Sequence, residues 1–437
     1  MPEPVKKREG SNAQGGVKVE RLLSQCQMLL TERGQAVSNS QAREMLELYA
    51  ELDRRQQVGF FLGLLEGFSP DPKATLTAAE RYAAEPSVEL FAQLHEAVEP
   101  PRQELLRRLN RAPGGMSMIL KMREHVLHAV REHPELRAVD WDFHHLLSSW
   151  FNPGFLEVVR VDWRTPAYLL ERIIAHDAVH EIKGWDDLRR RLEADRRCFA
   201  FFHPALPDEP LIFVEVALVE EIPDRIAPLL EVTAAHGDPT RATVATLYSI
   251  NNCQRGLRGV SLGNFLVKQV AELLSEELPR LRTVCTLSPV PGFATWLISH
   301  LRTPVGKRPP ALGRALHAVA RALATDLSRL ATDPPVAQEQ LRPLRGALMA
   351  LCASYLLRTD PEGEQAQDQV ARFHLNNGAR LERVNWGADQ SKRGLQQSLG
   401  MMVNYLYEPR AIEANHDRFI QGRVMASRHV TSLSIEG

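Results

Sequence analysis

Along the first third of the chain, apolar residues recur at helical spacing. Leu22, Leu23, Cys26, Leu29 and Leu30 fall on one stripe. Two capping boxes, Ser38-x-x-Gln41 and Thr77-x-x-Glu80, read as helix starts, because each supplies acceptors for the first free N–H groups. Breaks at Pro70 and Pro72, at Pro100-Pro101 and at Pro113-Gly114-Gly115 separate amphipathic segments with hardly any β-type alternation. This pattern predicts an all-helical bundle over residues 17–148, preceded by a polar arm over 1–16 that is expected to be disordered. The pattern changes after Trp150-Phe-Asn-Pro-Gly-Phe155. Short β-branched and aromatic runs at 155–161, 198–203, 211–219 and 246–250 predict strands, and they alternate with helical stretches at 166–175, 185–194 and 262–274. Residues 149–437 therefore read as a mixed α/β domain, giving an α+β protein overall. An Ala/Leu/Arg-rich block at about 308–358 is expected to be a helical insertion, before strand character returns at 380–386.

Length supports the same division, since 437 residues exceed one ordinary core. The 53 Lys+Arg against 54 Asp+Glu leave a net charge of −1, which argues against a nucleic-acid partner. Cys26, Cys198, Cys253, Cys285 and Cys352 are scattered and form no CxxC pair, so neither a disulfide framework nor a zinc knuckle is expected, and a reducing compartment fits. No apolar run reaches the ~18 residues of a membrane span, the N-terminus has no signal-peptide core, and Ser434-Ile-Glu-Gly437 is no peroxisomal tripeptide. A cytoplasmic location without membrane contact is the resulting expectation. His144, His145, His203 and His416 lack metal spacing and read as structural or surface residues, so no metal is expected. The 150–155 aromatic cluster reads as core at the domain join, and the Arg-rich stretch Arg314–Arg329 as a solvated face.

Candidate chemistry concentrates between Thr246 and Leu274. A strand, a polar loop and the turn Gly256-Leu-Arg-Gly-Val-Ser-Leu-Gly263 lead into an amphipathic helix with Leu262, Leu266, Val270, Leu273 and Leu274 on one stripe. Free backbone N–H groups at the helix start, with Arg255, Arg258 and Lys268 nearby, could seat a pyrophosphate; the same pattern can also simply cap and pack a helix. The run Arg258-Gly-Val-Ser-Leu-Gly263 resembles the coenzyme A turn of the N-acetyltransferase superfamily, with Ser261 where that superfamily usually has Gly. It lacks the opening Gly-x-Gly of the dinucleotide fingerprint. Ala371-Arg-Phe-His-Leu-Asn-Asn-Gly-Ala379 resembles the superfamily's late helix, with His374 in the place of a Tyr that often protonates the departing thiolate. Exchanging phenol for imidazole lowers the ordinary pKa from about 10 to about 6.5, which suits proton transfer near neutrality.

Residues from about 141 to 432 resemble the malonyl-CoA decarboxylase family. The shared motifs are Trp150-Phe-Asn-x-Gly-Phe155, Tyr248-Ser-Ile250, Gly256-Leu-x-Gly-Val-x-Leu-Gly263, Leu287-Ser-Pro-Val-Pro-Gly-Phe293, Phe373-His-Leu-x-Asn-Gly-Ala379, Asn385-Trp386 and Met402-x-Asn-Tyr-x-Tyr407. The resemblance implies an N-acetyltransferase-like catalytic domain that turns malonyl-CoA into acetyl-CoA and CO2. It assigns Ser288 and His374 as the catalytic pair, and Arg258, Gly259, Val260, Ser261, Leu262, Gly263, Asn264 and Val267 as the malonyl-CoA site. It also implies a helical domain used for homo-oligomerisation, often into tetramers, and no cofactor, since the thioester itself accepts the electrons as CO2 leaves. Without the resemblance, Ser288 would read as a turn former and His374 as a half-buried helical residue. Two rival readings are a coenzyme A-dependent acyltransferase on the same seat and a non-catalytic acyl-CoA sensor.

Overall fold

The computed structural model describes residues 9–31, 35–260, 262–302, 314–317, 319, 339–358 and 368–435. Most of the 308–358 block and of the Arg314–Arg329 stretch lies outside these residues, as do Ser261 and the side chains of Ser38, Gly263 and Asn264. The described residues form two compact units.

The first unit comprises 1–156, 203–207 and 254–261. Its helices are α1 (Glu9–Thr31), α2 (Gln35–Ala50), α3 (Arg54–Gly67), α4 (Pro72–Ala84), α5 (Val88–Val98), α6 (Pro101–Asn110), α7 (Gly115–Ala129) and α8 (Arg137–Trp150). Helix α1 thus starts inside the stretch expected to be an arm. The Thr77 box is corrected: Asp71 caps α4 with Pro72 in the first turn, and Thr77 lies mid-helix, its hydroxyl turned back to the Lys73 carbonyl at 2.9 Å. An Asp-Pro start satisfies a free N–H and presets φ, which a Thr five residues later cannot override. A true capping box occurs at Asp53 and Gln56, which exchange bonds of 2.9 Å. Tyr49, Phe60 and Phe61 form an aromatic centre, with the Tyr49 hydroxyl 2.8 Å from His125 Nδ1. Of the 150–155 cluster, Phe151 is buried whereas Phe155 is 60% exposed, so the expectation of core holds for Phe151 alone of these two.

The second unit comprises 157–202, 208–253 and 262–437. Its strands are β1 (Glu157–Val161), β2 (Arg196–Phe202), β3 (Ile212–Val219), β4 (Val244–Asn252), β5 (Thr283–Thr286), β6 (Ser288–Pro289), β7 (Arg380–Asn385) and β8 (Met402–Tyr407). They form one sheet in the order β1-β2-β3-β4-β5-β8-β6, with β7 also on β8; only the β4–β5 pairing is parallel. Its helices are α9 (Ala167–His176), α10 (Trp185–Arg191), α11 (Ala227–Leu230), α12 (Gly263–Glu277), α13 (Phe293–Arg302), α14 (Arg345–Leu357), α15 (Gln369–Asn376), α16 (Lys392–Ser398), α17 (Ile412–Ile420) and α18 (Arg428–Leu433). Helix α12 buries Leu266, Val267, Val270 and Leu274, while Leu273 is 37% exposed, so the packed stripe runs through Val267 instead. A buried ion cluster ties α10 to β3. Arg191 reaches Asp177 at 2.9 Å, Glu215 at 2.8 Å and Asp187 at 3.0 Å, and burial still pushes the Glu215 carboxyl up to about 8.

Candidate active site

Strand β8 builds the floor of the site. Its alternation puts Val403, Tyr405 and Tyr407 on one face, and the register sets Ser288 of β6 directly opposite Val403. Above them stands α15, whose buried face is Ala371, His374 and Leu375, the i, i+3, i+4 spacing that turns one stripe inward. Asp368 starts this helix by accepting from the N–H groups of Val370 and Ala371. Gly378 stops it with φ of +74°, and the Ala379 N–H donates to the His374 carbonyl at 3.1 Å.

Strand and helix together bring Ser288 Oγ within 3.0 Å of His374 Nε2, across 86 residues of sequence. The Ser288 hydroxyl donates its one proton to Thr286 Oγ1 at 2.8 Å, so the bond to His374 runs from Nε2–H to Oγ. Nδ1 of the neutral ring is then an acceptor, and the Tyr407 hydroxyl, 2.8 Å away, donates to it. Tyr405 stacks on the imidazole with centroids 4.5 Å apart. Thr286 is held in turn, its carbonyl accepting from Asn404 Nδ2 at 2.8 Å and its Oγ1 from the Tyr405 N–H at 3.3 Å.

Burial lowers the His374 pKa to about 3. The ring is therefore neutral at pH 7 in the ligand-free protein, and the expectation of a group titrating near neutrality is corrected. Burial also raises the Tyr407 phenol well above its usual range, keeping it a hydrogen-bond donor. A cavity of about 310 Å³ adjoins this network, lined among others by Val267, Lys268, Val284, Tyr407, Ile412 and Glu413.

The other anticipated binding residues separate by unit. Arg258, Gly259 and Val260 belong to the helical unit. There Arg258 is exposed, Gly259 has φ of +83°, and the Gly259 carbonyl lies 3.2 Å from His144 Nε2. Gly256 packs so closely on α7 that a Cβ would sit 2.2 Å from the Leu120 carbonyl oxygen, and its own carbonyl accepts from Arg123 at 2.7 Å. Leu262 and Val267 are buried in the second unit, where Gly263 opens α12. His203 accepts from the Ala205 N–H and His416 contacts the Asn376 carbonyl, so both serve local backbone geometry. Among the described residues no cluster of three metal-binding side chains occurs, and no helix is long and apolar enough to cross a membrane. Asn404, Tyr405 and Tyr407 stand in the shared motif Met402-x-Asn-Tyr-x-Tyr407, which carries no role for them, and Thr286 lies outside every motif, just ahead of Leu287.

Family models for the malonyl-CoA decarboxylase N-terminal and C-terminal domains match residues 68–151 and 154–436. The mitochondrial malonyl-CoA decarboxylase of Mus musculus is 33% identical over 436 residues, spanning 92% of this chain and 87% of that protein. That of Anser anser anser is 32% identical, over 96% of this chain and 89% of its own. The crystal structure of malonyl-CoA decarboxylase from Rhodopseudomonas palustris superposes with a TM-score of 0.86 at 46% identity, covering 95% of this chain and 99% of that one. The one from Agrobacterium vitis gives 0.84 at 45% identity, over 94% and 99%. With both domain patterns matched in order and solved members aligned along nearly its whole length, the chain belongs to the malonyl-CoA decarboxylase family.

Proposed function

We propose that the chain decarboxylates malonyl-CoA to acetyl-CoA, with His374 delivering a proton to the α-carbon and Ser288 orienting the substrate. The observation that carries this reading is the buried 3.0 Å contact between Ser288 and His374, backed by Tyr407 on the other ring nitrogen. In the reaction the bond to the carboxylate breaks, its electron pair moves into the thioester to form an enolate, and CO2 leaves. The enolate carbon then takes a proton and the carbonyl reforms. A neutral imidazole can serve this step because it exchanges at both nitrogens: Nε2–H is given up to the carbon as Nδ1 takes the Tyr407 proton, and the high-pKa phenolate then regains a proton from solvent before the next turnover. An arriving carboxylate also favours the charged ring, since a nearby anion raises a buried His pKa. Ser288 hydrogen-bonds the substrate carboxylate or thioester oxygen by turning its proton from Thr286 Oγ1 to the arriving substrate.

In this reading the domain is N-acetyltransferase-like, and the segment Arg258, Gly259, Val260, Ser261, Leu262, Gly263, Asn264 with Val267 binds malonyl-CoA. Its support is the left-handed turn at Gly259, the exposed Arg258 guanidinium, and Val267 on the wall of the cavity. The enzyme works as a cytoplasmic homo-oligomer, a tetramer by the family resemblance. Pure protein incubated with malonyl-CoA should release CO2 and acetyl-CoA in equal amounts. With an amine added, transfer of the intact malonyl group without CO2 release would establish an acyltransferase, and binding without turnover a sensor; either would refute the proposal.

A further inference from the structure

One buried carboxylate touches both halves of the Ser288–His374 pair's support. Asp368 is 2% exposed and accepts four hydrogen bonds. Oδ1 takes the N–H groups of Val370 at 2.9 Å and Ala371 at 3.1 Å, the start of α15. Oδ2 does not touch that helix. It accepts from the Gly292 N–H at 3.0 Å and from the Tyr355 hydroxyl at 3.2 Å. Gly292 closes the turn that leaves Ser288, four residues on. His374 lies six residues beyond Asp368, on the helix that Asp368 caps.

We propose that Asp368 is a positioning residue for decarboxylation, locking the turn after Ser288 to the start of the helix that carries His374. The inference rests on the reading of Ser288 and His374 as the reacting pair. Helix capping alone does not account for the residue. A hydroxyl or amide caps as well as a carboxylate, and a carboxylate is costly to bury unless its lone pairs are used. Here the second oxygen is used wholly outside the helix. The fit around it admits no slack: a Cβ on residue 292 would meet the Tyr355 hydroxyl oxygen at 2.1 Å and Asp368 Oδ2 at 3.2 Å. Tyr355 is braced in turn by the Trp296 and Phe293 rings of α13, with centroids 5.3 and 5.9 Å away. A shift of this carboxylate therefore moves His374 relative to Ser288 and so relative to the substrate that Ser288 orients, and proton transfer to the α-carbon is sensitive to that placement.

The experiment is a double-mutant cycle between Asp368→Asn and Ser288→Ala, reading kcat, substrate affinity by titration, and Tm. Asp368→Asn retains an acceptor for the cap but sets an amide donor against the Gly292 N–H. Its kcat should fall about 10²-fold with affinity within a few fold, the loss expected for a misplacement near 1 Å. In the Ser288→Ala background the same change should cost less than about threefold, because the geometry it protects is already gone. Should Asp368→Asn fail to fold, Tyr355→Phe decides, since it spares the cap and removes one donor to Oδ2; a severalfold loss of kcat at unchanged affinity is expected. Parent turnover in Ser288→Ala would overturn the reading of the pair. A slow Ser288→Ala combined with parent kcat in folded Asp368→Asn or Tyr355→Phe, or with losses that multiply in the double variant, would overturn the role of Asp368 alone.

Discussion

At the residue scale, the protonation of His374 governs what kinetics can report. Its pKa is lowered to about 3 by burial, so the neutral ring persists throughout the usual assay range and kcat/KM should show no limb from this residue between pH 5 and 9. Ser288 makes a different contribution. It spends its proton on Thr286 and receives one from His374, so its hydroxyl is held in a fixed direction before substrate arrives. Ser288→Ala should fold as the parent does, keep substrate affinity, and lose about 10² to 10³ in kcat, the usual cost of one donor aimed at developing charge. Steady-state assays with a titration of binding check this. Near-parent kcat would return Ser288 to the role of a turn residue.

At the element scale, the site depends on where α15 ends. Gly378 is left-handed with φ of +74°, and a Cβ there would meet the Ile412 carbonyl oxygen at 2.2 Å. Gly378→Ala should destabilise the protein by more than the ~1 kcal/mol of the left-handed conformation alone, visible as a lower denaturation midpoint. How far the sequence discloses these elements follows from what each is made of. Strands β1 to β4 are dense in β-branched and aromatic residues, and β7 carried enough of that character to be read as well. Strands β5 and β6 are four and two residues long and are stabilised by pairing with β8, which no local pattern encodes. Thr77 does not start a helix because Asp71-Pro72 is the stronger start, whereas Asp53-x-x-Gln56 has the chemistry of a box and forms one. In the site, the motifs around Ser288 and His374 were visible through family resemblance. Their 3.0 Å contact, and the service of Tyr407 and Thr286, come from sheet register between segments far apart in the chain. The lowered pKa of His374 is not legible in the sequence for the same reason, because burial is a property of the assembled fold.

At the scale of the whole molecule, the buried neutral imidazole should affect acid stability. The folded pKa of about 3 lies below the ordinary value of 6.5, so between those values the unfolded chain binds more protons at this residue than the native protein does. Its contribution to stability is thus complete above pH 6.5 and is lost as pH falls. Denaturant titrations of parent and His374→Asn from pH 7 to 4.5 should show the parent losing more stability, by up to about 1.4 kcal/mol per pH unit. Equal slopes would mean the ring is not buried as described. The helical unit supplies a second test at this scale. Helices α4 and α5 have no buried residue, and Leu76, Val88 and Phe91 are 60, 80 and 53% exposed. An apolar face of this kind fits self-association, so sedimentation should show an oligomer that Val88→Glu with Phe91→Glu dissociates. A monomeric parent would remove that role. The most direct test of the proposed chemistry compares parent and His374→Asn in a single turnover of malonyl-CoA, with binding measured separately by titration. The account predicts binding within a few fold and CO2 release slowed by about 10² to 10⁴, the range of general acid catalysis. Parent-like release of CO2 and acetyl-CoA by a correctly folded His374→Asn protein would contradict it.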